Sequence, residues 1–449
     1  MVAPATPPGR GGVGVVRISG PDSARILRAL TGRPVPPERR VVLRSVKAPS
    51  TGETIDRCLV CFFRGPASYT GEDVVEISAH GNPLILKKIC EAALEEGARM
   101  AQPGEFTRRA FLNGKLDLSQ AEAVAELVEA SSDLSLQAAM RRLDGGLREE
   151  TEAIREIILE ALVHLESAVD FPEEELEIYE DGQVAEGLRD ACEKIEKLLA
   201  TARAGRILTE GARVTICGRP NVGKSSLLNA LLKEERAIVS KTPGTTRDFI
   251  SETLTLRGVP IRVIDTAGIR REWGDAVEKE GILRSSREIE SADLILFVVD
   301  GSQEITDDDR YAYEKVRGKE HIVVVNKTDL PRVADLTSLP IGDERGKVFV
   351  SARTGEGMER LEEAVSAALV GDEKGVRGDV LVGNMRQKEL LEKGREALHR
   401  AIEGLQEGRS PEFVSLDVRE AAEALGEIVG RVTTEDVLER IFSTFCIGK

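Results

Sequence analysis

Lys224 and Ser225 close the string Gly218-Arg-Pro-Asn-Val-Gly-Lys-Ser225. That spacing suits a phosphate chain. The apolar run Val214-Thr-Ile-Cys217 precedes it, and Ser226-Leu-Leu-Asn-Ala-Leu-Leu232 follows. The segment is therefore predicted to be strand, glycine-rich turn and helix. Backbone amides from Asn221, Val222 and Gly223 through Ser226 would point at phosphate oxygens. Lys224 would reach the outer phosphates, and the Ser225 hydroxyl can ligate Mg²⁺.

Three further strings extend this reading. Ile261-Arg-Val-Ile-Asp-Thr-Ala-Gly268 reads as a strand ending in Asp265, placed to hold the Mg²⁺ shell, with Thr266 and Ala267 next. Gly268 has no side chain, so its N–H can approach a γ-phosphate. His321-Ile-Val-Val-Val-Asn-Lys-Thr-Asp329 reads as a buried strand ending in Asn326, Lys327 and Asp329. A carboxylate there can accept from both N1–H and N2–H of guanine. Adenine lacks that donor pair, so it would leave Asp329 unpaired. Val348-Phe-Val-Ser-Ala352 supplies a last strand whose Ser351-Ala352 turn can touch the base edge. Together these imply GTP rather than ATP.

The remaining composition narrows the class. The chain has 449 residues and a formal charge of −16, which suggests about three domains and argues against wrapping nucleic acid unaided. Charge is uneven: residues 1–47 hold nine Lys/Arg against two Asp/Glu, while Glu166 to Asp181 holds eight acidic residues and no basic one. A solvated face explains the basic run, and the acidic run reads as one that repels neighbours or lines a polar surface rather than binding metal. No apolar run approaches the roughly 20 residues of a membrane span, and the Pro-rich start does not read as a signal peptide. Six scattered cysteines give no disulfide framework. Cys58 and Cys61 fall in an apolar run read as a buried strand, and four histidines show no ligand spacing. The expectation is a cytosolic protein.

Organisation follows from texture. Residues 1–116 read as α/β, with strands at 14–19, 59–63 and 74–78 and a helix from Pro83 to Glu96. Residues 117–206 read as long amphipathic helices; Ile154, Ile157, Ile158, Ala161, Leu162 and Leu165 form one helical stripe. Residues 207–371 read as a Ras-like P-loop domain of alternating strands and helices. Residues 372–449 return to helix and end in Cys446-Ile-Gly-Lys449. The fold class is multidomain α/β plus all-α, with the nucleotide domain inserted into a helical one.

Motifs in every segment now resemble one family. Ala5-Thr-Pro-Pro-Gly-Arg-Gly-Gly12, Tyr69-Thr-Gly-Glu-Asp73, Pro103-Gly-Glu-Phe106, Ala110-Phe-Leu-Asn-Gly-Lys-Leu-Asp117, Gly244-Thr-Thr-Arg-Asp248 and the terminal Cys446-Ile-Gly-Lys449 are similar to the MnmE (TrmE) family of tRNA-modification GTPases. The resemblance spans essentially the whole chain. It implies a homodimer formed through the N-terminal domain, and a 5-formyl-tetrahydrofolate-like ligand bound there by Arg17, Glu76, Lys115 and Lys449. It also implies an FAD-dependent partner (MnmG/GidA) and tRNA as substrate, with a carboxymethylaminomethyl or aminomethyl group built on C5 of the wobble uridine. Cys446 matches the family cysteine, its role left open. The start is short against the family pattern.

For hydrolysis, Ile269 follows Gly268 and cannot orient a water. The resemblance puts that role on Glu278, after a loop one residue longer than usual, with Trp273 and Gly274 near its tip. It implies K⁺ in place of an arginine finger, held by Asn221, Ser240, Thr242 and Thr245, with Thr246 joining Ser225 on Mg²⁺. The loop Ser240-Lys241-Thr242-Pro243-Gly244-Thr245-Thr246 would wrap the nucleotide. Two other readings share the GTPase loops. A ribosome-assembly factor would need an appended RNA-binding module, whereas the C-terminal part reads as helical and ends in Cys-Ile-Gly-Lys. A scaffold with a vestigial site is opposed by intact Lys224, Ser225, Asp265 and Asp329.

Overall fold

The computed structural model describes residues 1–170, 182–234, 251–265, 288–339, 346–371, 378 and 380–449. In chain order the elements are β1 (Val2–Pro4), β2 (Gly11–Ser19), α1 (Ser23–Thr31), β3 (Val42–Lys47), β4 (Thr54–Phe63), β5 (Val74–Gly81), α2 (Pro83–Glu95), α3 (Glu105–Leu112), α4 (Leu118–Glu129), α5 (Asp133–Leu143), α6 (Gly146–Asp170) and α7 (Gln183–Glu210). They continue with β6 (Ala212–Cys217), α8 (Lys224–Glu234), β7 (Ser251–Leu256), β8 (Val259–Asp265), β9 (Leu294–Asp300), α9 (Asp307–Val316), β10 (His321–Asn326), β11 (Lys347–Phe349), α10 (Met358–Val370), α11 (Met385–Gln406), α12 (Pro411–Ile428) and α13 (Glu435–Ser443).

Two compact units result. The first comprises Met1–Ala125, Arg148–Arg155 and Ala422–Lys449. Its antiparallel sheet has the order β1-β2-β5-β4-β3. Side chains alternate faces along a strand. Val16 and Ile18 of β2, and Val75 and Ile77 of β5, therefore turn into one core with Ile26, Leu27 and Leu30 of α1 and Leu86 and Ile89 of α2. The residues between them, Arg17 and Glu76, share the opposite face and are register partners. At the end of the chain, Leu438, Phe442 and Phe445 pack with Leu118 and Ala121.

The second unit comprises Glu126–Leu147 and Glu156–Ala421. Its sheet has the order β11-β10-β9-β6-β8-β7, parallel except for the edge strand β7. A parallel sheet is covered on both faces, so its strands read as continuous apolar runs; every residue of β9 is buried. One face packs Leu227 and Leu231 of α8 and Leu361 and Val365 of α10. The other packs Ala312, Tyr313 and Val316 of α9. Helices α7 and α11, which precede and follow the sheet in sequence, pair with one another. Arg142, buried with Glu126, ties α5 to this layer through the Leu381 carbonyl (3.2 Å) and the Thr209 hydroxyl (3.3 Å).

Candidate functional site

Ligands of doubly wound sheets bind at the carboxyl ends of the strands. Here β6 delivers the turn Gly218–Gly223, β9 delivers Asp300 and β10 delivers Asn326 to that one edge. Gly223 has φ +101°, and a Cβ there would stand 2.2 Å from Nδ2 of Asn326. Glycine is needed for the backbone to come so close. Lys224 is 9% exposed. Its ammonium folds over the turn and donates to the carbonyls of Gly218 (3.0 Å) and Arg219 (2.9 Å). Ser225 and Ser226 are exposed in the first turn of α8, where helix amides lack intrahelical partners. Asp265 closes β8, with its backbone beside Ile216 of β6.

The residues expected on the guanine side form one network. Asn326 donates from Nδ2 to the Val222 carbonyl (2.9 Å), and its Oδ1 accepts from the Ala352 amide (3.1 Å). Both ends of this side chain are thus spent bracing the two loops around the pocket. Lys327, at φ +66°, donates to the Asn221 carbonyl (3.0 Å) and to Oδ2 of Asp300 (2.6 Å). Asp329 accepts from the Ser351 hydroxyl at Oδ1 (2.6 Å) and pairs with Arg353 at Oδ2 (2.6 Å). The Ser351 hydrogen bond, against a smaller opposing effect of burial and with help from Arg353, holds the Asp329 carboxyl below its ordinary range. A cavity of about 630 Å³ opens between Gly223, Ser226, Asn229, Lys327, Asp329 and Ala352. That volume lies in the range of small-ligand pockets. The Asn221 side chain is exposed beside it, at φ +64°.

Ser240, Lys241, Thr242, Pro243, Gly244, Thr245, Thr246, Thr266, Ala267, Gly268 and Glu278 lie outside the described residues, as does the Asp265 side chain.

A second cluster sits in the first unit. Arg17 donates from Nε (3.0 Å) and Nη2 (2.8 Å) to Oε1 of Glu76. Its guanidinium lies 5.7 Å from the Tyr69 ring centroid and 5.5 Å from that of Phe106, within cation–π range. The carboxy-terminal tail closes on this face. The Phe106 amide donates to the Lys449 carbonyl (3.1 Å), and the Gly104 amide to that of Cys446 (3.4 Å). Gly448 has φ +98°, and a Cβ there would meet the Pro4 carbonyl at 2.0 Å. Burial lowers the Lys449 ammonium, Cys446 opposes that, and nearby Arg17 lowers it further. So Arg17, Glu76 and Lys449 come together. Lys115 stands exposed in the loop after α3, and among the described residues no side-chain hydrogen bond or ion pair joins it to them. Cys446 is exposed.

Comparison with known proteins agrees with this geometry. The family profile described as GTP-binding protein TrmE N-terminus matches residues 1–115, and that of the MnmE helical domain matches residues 118–446. The tRNA modification GTPase MnmE of Aquifex aeolicus is 47% identical over 452 residues, covering 100% of this chain and 99% of the relative. That of Thermotoga petrophila is 45% identical over 453 residues, with the same coverage.

The chain belongs to the MnmE family of tRNA-modification GTPases.

As an MnmE-family GTPase it binds and hydrolyses GTP. Sequence reading missed three groups that shape these two clusters. Asp300 ends β9 and anchors Lys327; burial would raise its carboxyl, but Lys327 and Ser302 bring it below the ordinary range. The only sequence signal was an apolar strand ending in an acid. Arg353 follows the Ser351-Ala352 turn and carries no motif of its own. Glu105, in the Pro103-Gly-Glu-Phe106 motif, is 7% exposed and takes charge-assisted bonds from Arg99 and Arg109 and the Gln102 amide. It fixes the start of α3, and hence Phe106 under Arg17. Among the described residues no helix is long and apolar enough to cross a membrane.

Proposed function

We propose that this GTPase drives a tRNA-modification complex that places a carboxymethylaminomethyl or aminomethyl group on C5 of the wobble uridine. The carbon comes from a 5-formyl-tetrahydrofolate-like donor held in the N-terminal domain, residues 1–116. The observation that carries the reading is the tail. Lys449 is docked by its backbone on Phe106 and lies near Arg17, which is itself paired with Glu76, so this end of the chain joins a charged cluster on the N-terminal sheet. Oε1 of Glu76 is taken by Arg17, while Oε2 takes no hydrogen bond from a described residue. A carboxylate oxygen pairs with the N–H groups of a pterin, and Arg17 and Lys449 suit the carboxylates of a folate tail. Lys115 would join them from its loop.

At the nucleotide site, Ser225 and Thr246 would hold Mg²⁺, with Asp265 in its outer shell. Asn221, Ser240, Thr242 and Thr245 would hold K⁺. The exposed Asn221 amide fits a hard cation. These ions would offset charge developing on the phosphates, and Glu278 would orient the attacking water. The nucleotide domain, residues 207–371, is inserted between the helical parts 117–206 and 372–449. The chain works in the cytoplasm as a homodimer with an FAD-dependent partner protein. Mass spectrometry of wobble uridines tests this: cells lacking the chain should lose the C5 substituent, and unchanged uridines would refute the reading.

A further inference from the structure

Cys192 and Glu196 lie one helical turn apart on α7, so their side chains share a face. His399 on α11 meets them across the α7–α11 pair. Its Nε2 lies 3.5 Å from Sγ of Cys192, and the ligand atoms of all three residues lie within 4.8 Å of one another. The four histidines show no ligand spacing along the chain. The fold supplies it instead, by pairing two helices whose residues are 207 positions apart.

We propose that Cys192, Glu196 and His399 form a site for a borderline-soft divalent metal, zinc foremost. A thiolate, an imidazole and a carboxylate are a donor set suited to Zn²⁺, and three protein ligands leave a fourth position for water. The 3.5 Å separation is close to the donor–donor spacing in a tetrahedron built on Zn–S and Zn–N bonds of about 2.3 and 2.0 Å. Hard cations such as Mg²⁺ and K⁺ prefer an all-oxygen shell, so the nucleotide-site ions would not compete. Cys192 is buried, whereas His399 and Glu196 are exposed, so the metal has a path from solvent and a sulfur anchor inside. The bound ion would clip α7 to α11. Helix α7 runs through Gly211 directly into β6, the strand that carries the phosphate turn. The clip would therefore stiffen the helix pair that leads into and out of the nucleotide domain.

Cobalt titration of the full-length protein tests this. Co²⁺ bound to a thiolate in a tetrahedral site gives a near-ultraviolet charge-transfer band and strong visible d–d bands. Wild type should show both, saturating at about one equivalent per chain, and Zn²⁺ should bleach them. Cys192→Ser and His399→Gln should each abolish the charge-transfer band. Glu196→Gln should weaken Co²⁺ binding by about tenfold or more. Cys446→Ser, which removes the exposed thiol of the tail, should leave the spectrum intact. Circular dichroism must show each variant as helical as wild type; a loss of the band in a folded Cys192→Ser chain supports the site. No thiolate band in wild type, or a band that survives Cys192→Ser, would overturn it.

Discussion

The Asn326 side-chain amide donates to the Val222 carbonyl over 2.9 Å while its carbonyl receives the Ala352 amide at 3.1 Å. One buried side chain thus fixes the distance between the Gly218–Gly223 turn and the Ser351–Ala352 turn. Asn326→Ala would leave both backbone groups short of a partner, at about 1–3 kcal/mol for a buried orphan. Guanine nucleotide affinity should fall by tenfold or more. Asn326→Asp should be no better, because it sets a second oxygen against the Val222 carbonyl. Nucleotide titration by fluorescence reads this, and unaltered affinity in both variants would remove the brace from the account.

Asp329 is held in place by Ser351 and Arg353. Asp329→Asn exchanges a double acceptor for one oxygen and one NH₂. GTP binding should weaken by at least tenfold, and xanthosine triphosphate, whose C2 oxygen can accept from the new NH₂, should gain. Competition binding with the two nucleotides is the measurement. An unchanged preference for GTP would mean the base sits elsewhere.

If K⁺ stands where an arginine finger would, GTP hydrolysis should run much faster in KCl than in NaCl at equal ionic strength. The Asn221 side chain is exposed at the phosphate turn, and Asn221→Ala should erase the difference between the salts. Equal wild-type rates in the two salts would end the potassium assignment.

Glu105 predicts an acid limit for the N-terminal unit. Burial alone would raise its carboxyl, but Arg99, the Gln102 amide and Arg109 bind the charged form and bring it down to about 2. A depressed folded-state value contributes stability that is complete above the ordinary range near pH 4.5, and that is lost as pH falls through about 2. The contribution is about 2 kcal/mol at neutral pH, below what the full shift would give, because Arg99 is solvent-screened. Glu105→Gln should lower the unfolding temperature at pH 6, and by clearly less at pH 2.5, where the folded-state carboxyl has begun to take up its proton. A deficit of equal size at both pH values would show that the charge is not responsible.

Much of this was legible because the chemistry is local. Each GTPase motif is a strand followed by its own loop, so Lys224, Asn326 and Asp329 could be placed without the fold. Alternation at 14–19 and 74–78 gave β2 and β5, but the register that sets Arg17 opposite Glu76 came only with the fold. In the first unit, two strands were not legible. β1 is only Val2–Pro4, and in β3 Val46 alone is buried, so neither shows a period. Groups that depend on distant chain meeting were also invisible. Asp300 matters because Lys327 turns back to it, and His399 because α11 lies on α7. The tail lacks regular structure, yet Gly448 packs against Pro4, a contact that no periodicity encodes.

The docked tail gives the most direct test of the whole account. A chain truncated before Cys446 loses Lys449 from the Arg17–Glu76 cluster but keeps the nucleotide sheet untouched. The measurement is mass spectrometry of wobble uridines from cells lacking the chain, complemented with either wild type or the truncated form. Wild type should restore the C5 substituent. The truncated chain should not, although the purified protein still hydrolyses GTP at close to the wild-type rate and binds 5-formyl-tetrahydrofolate more weakly in calorimetry. Full modification by the truncated chain, or equal folate affinity in the two proteins, would contradict the account.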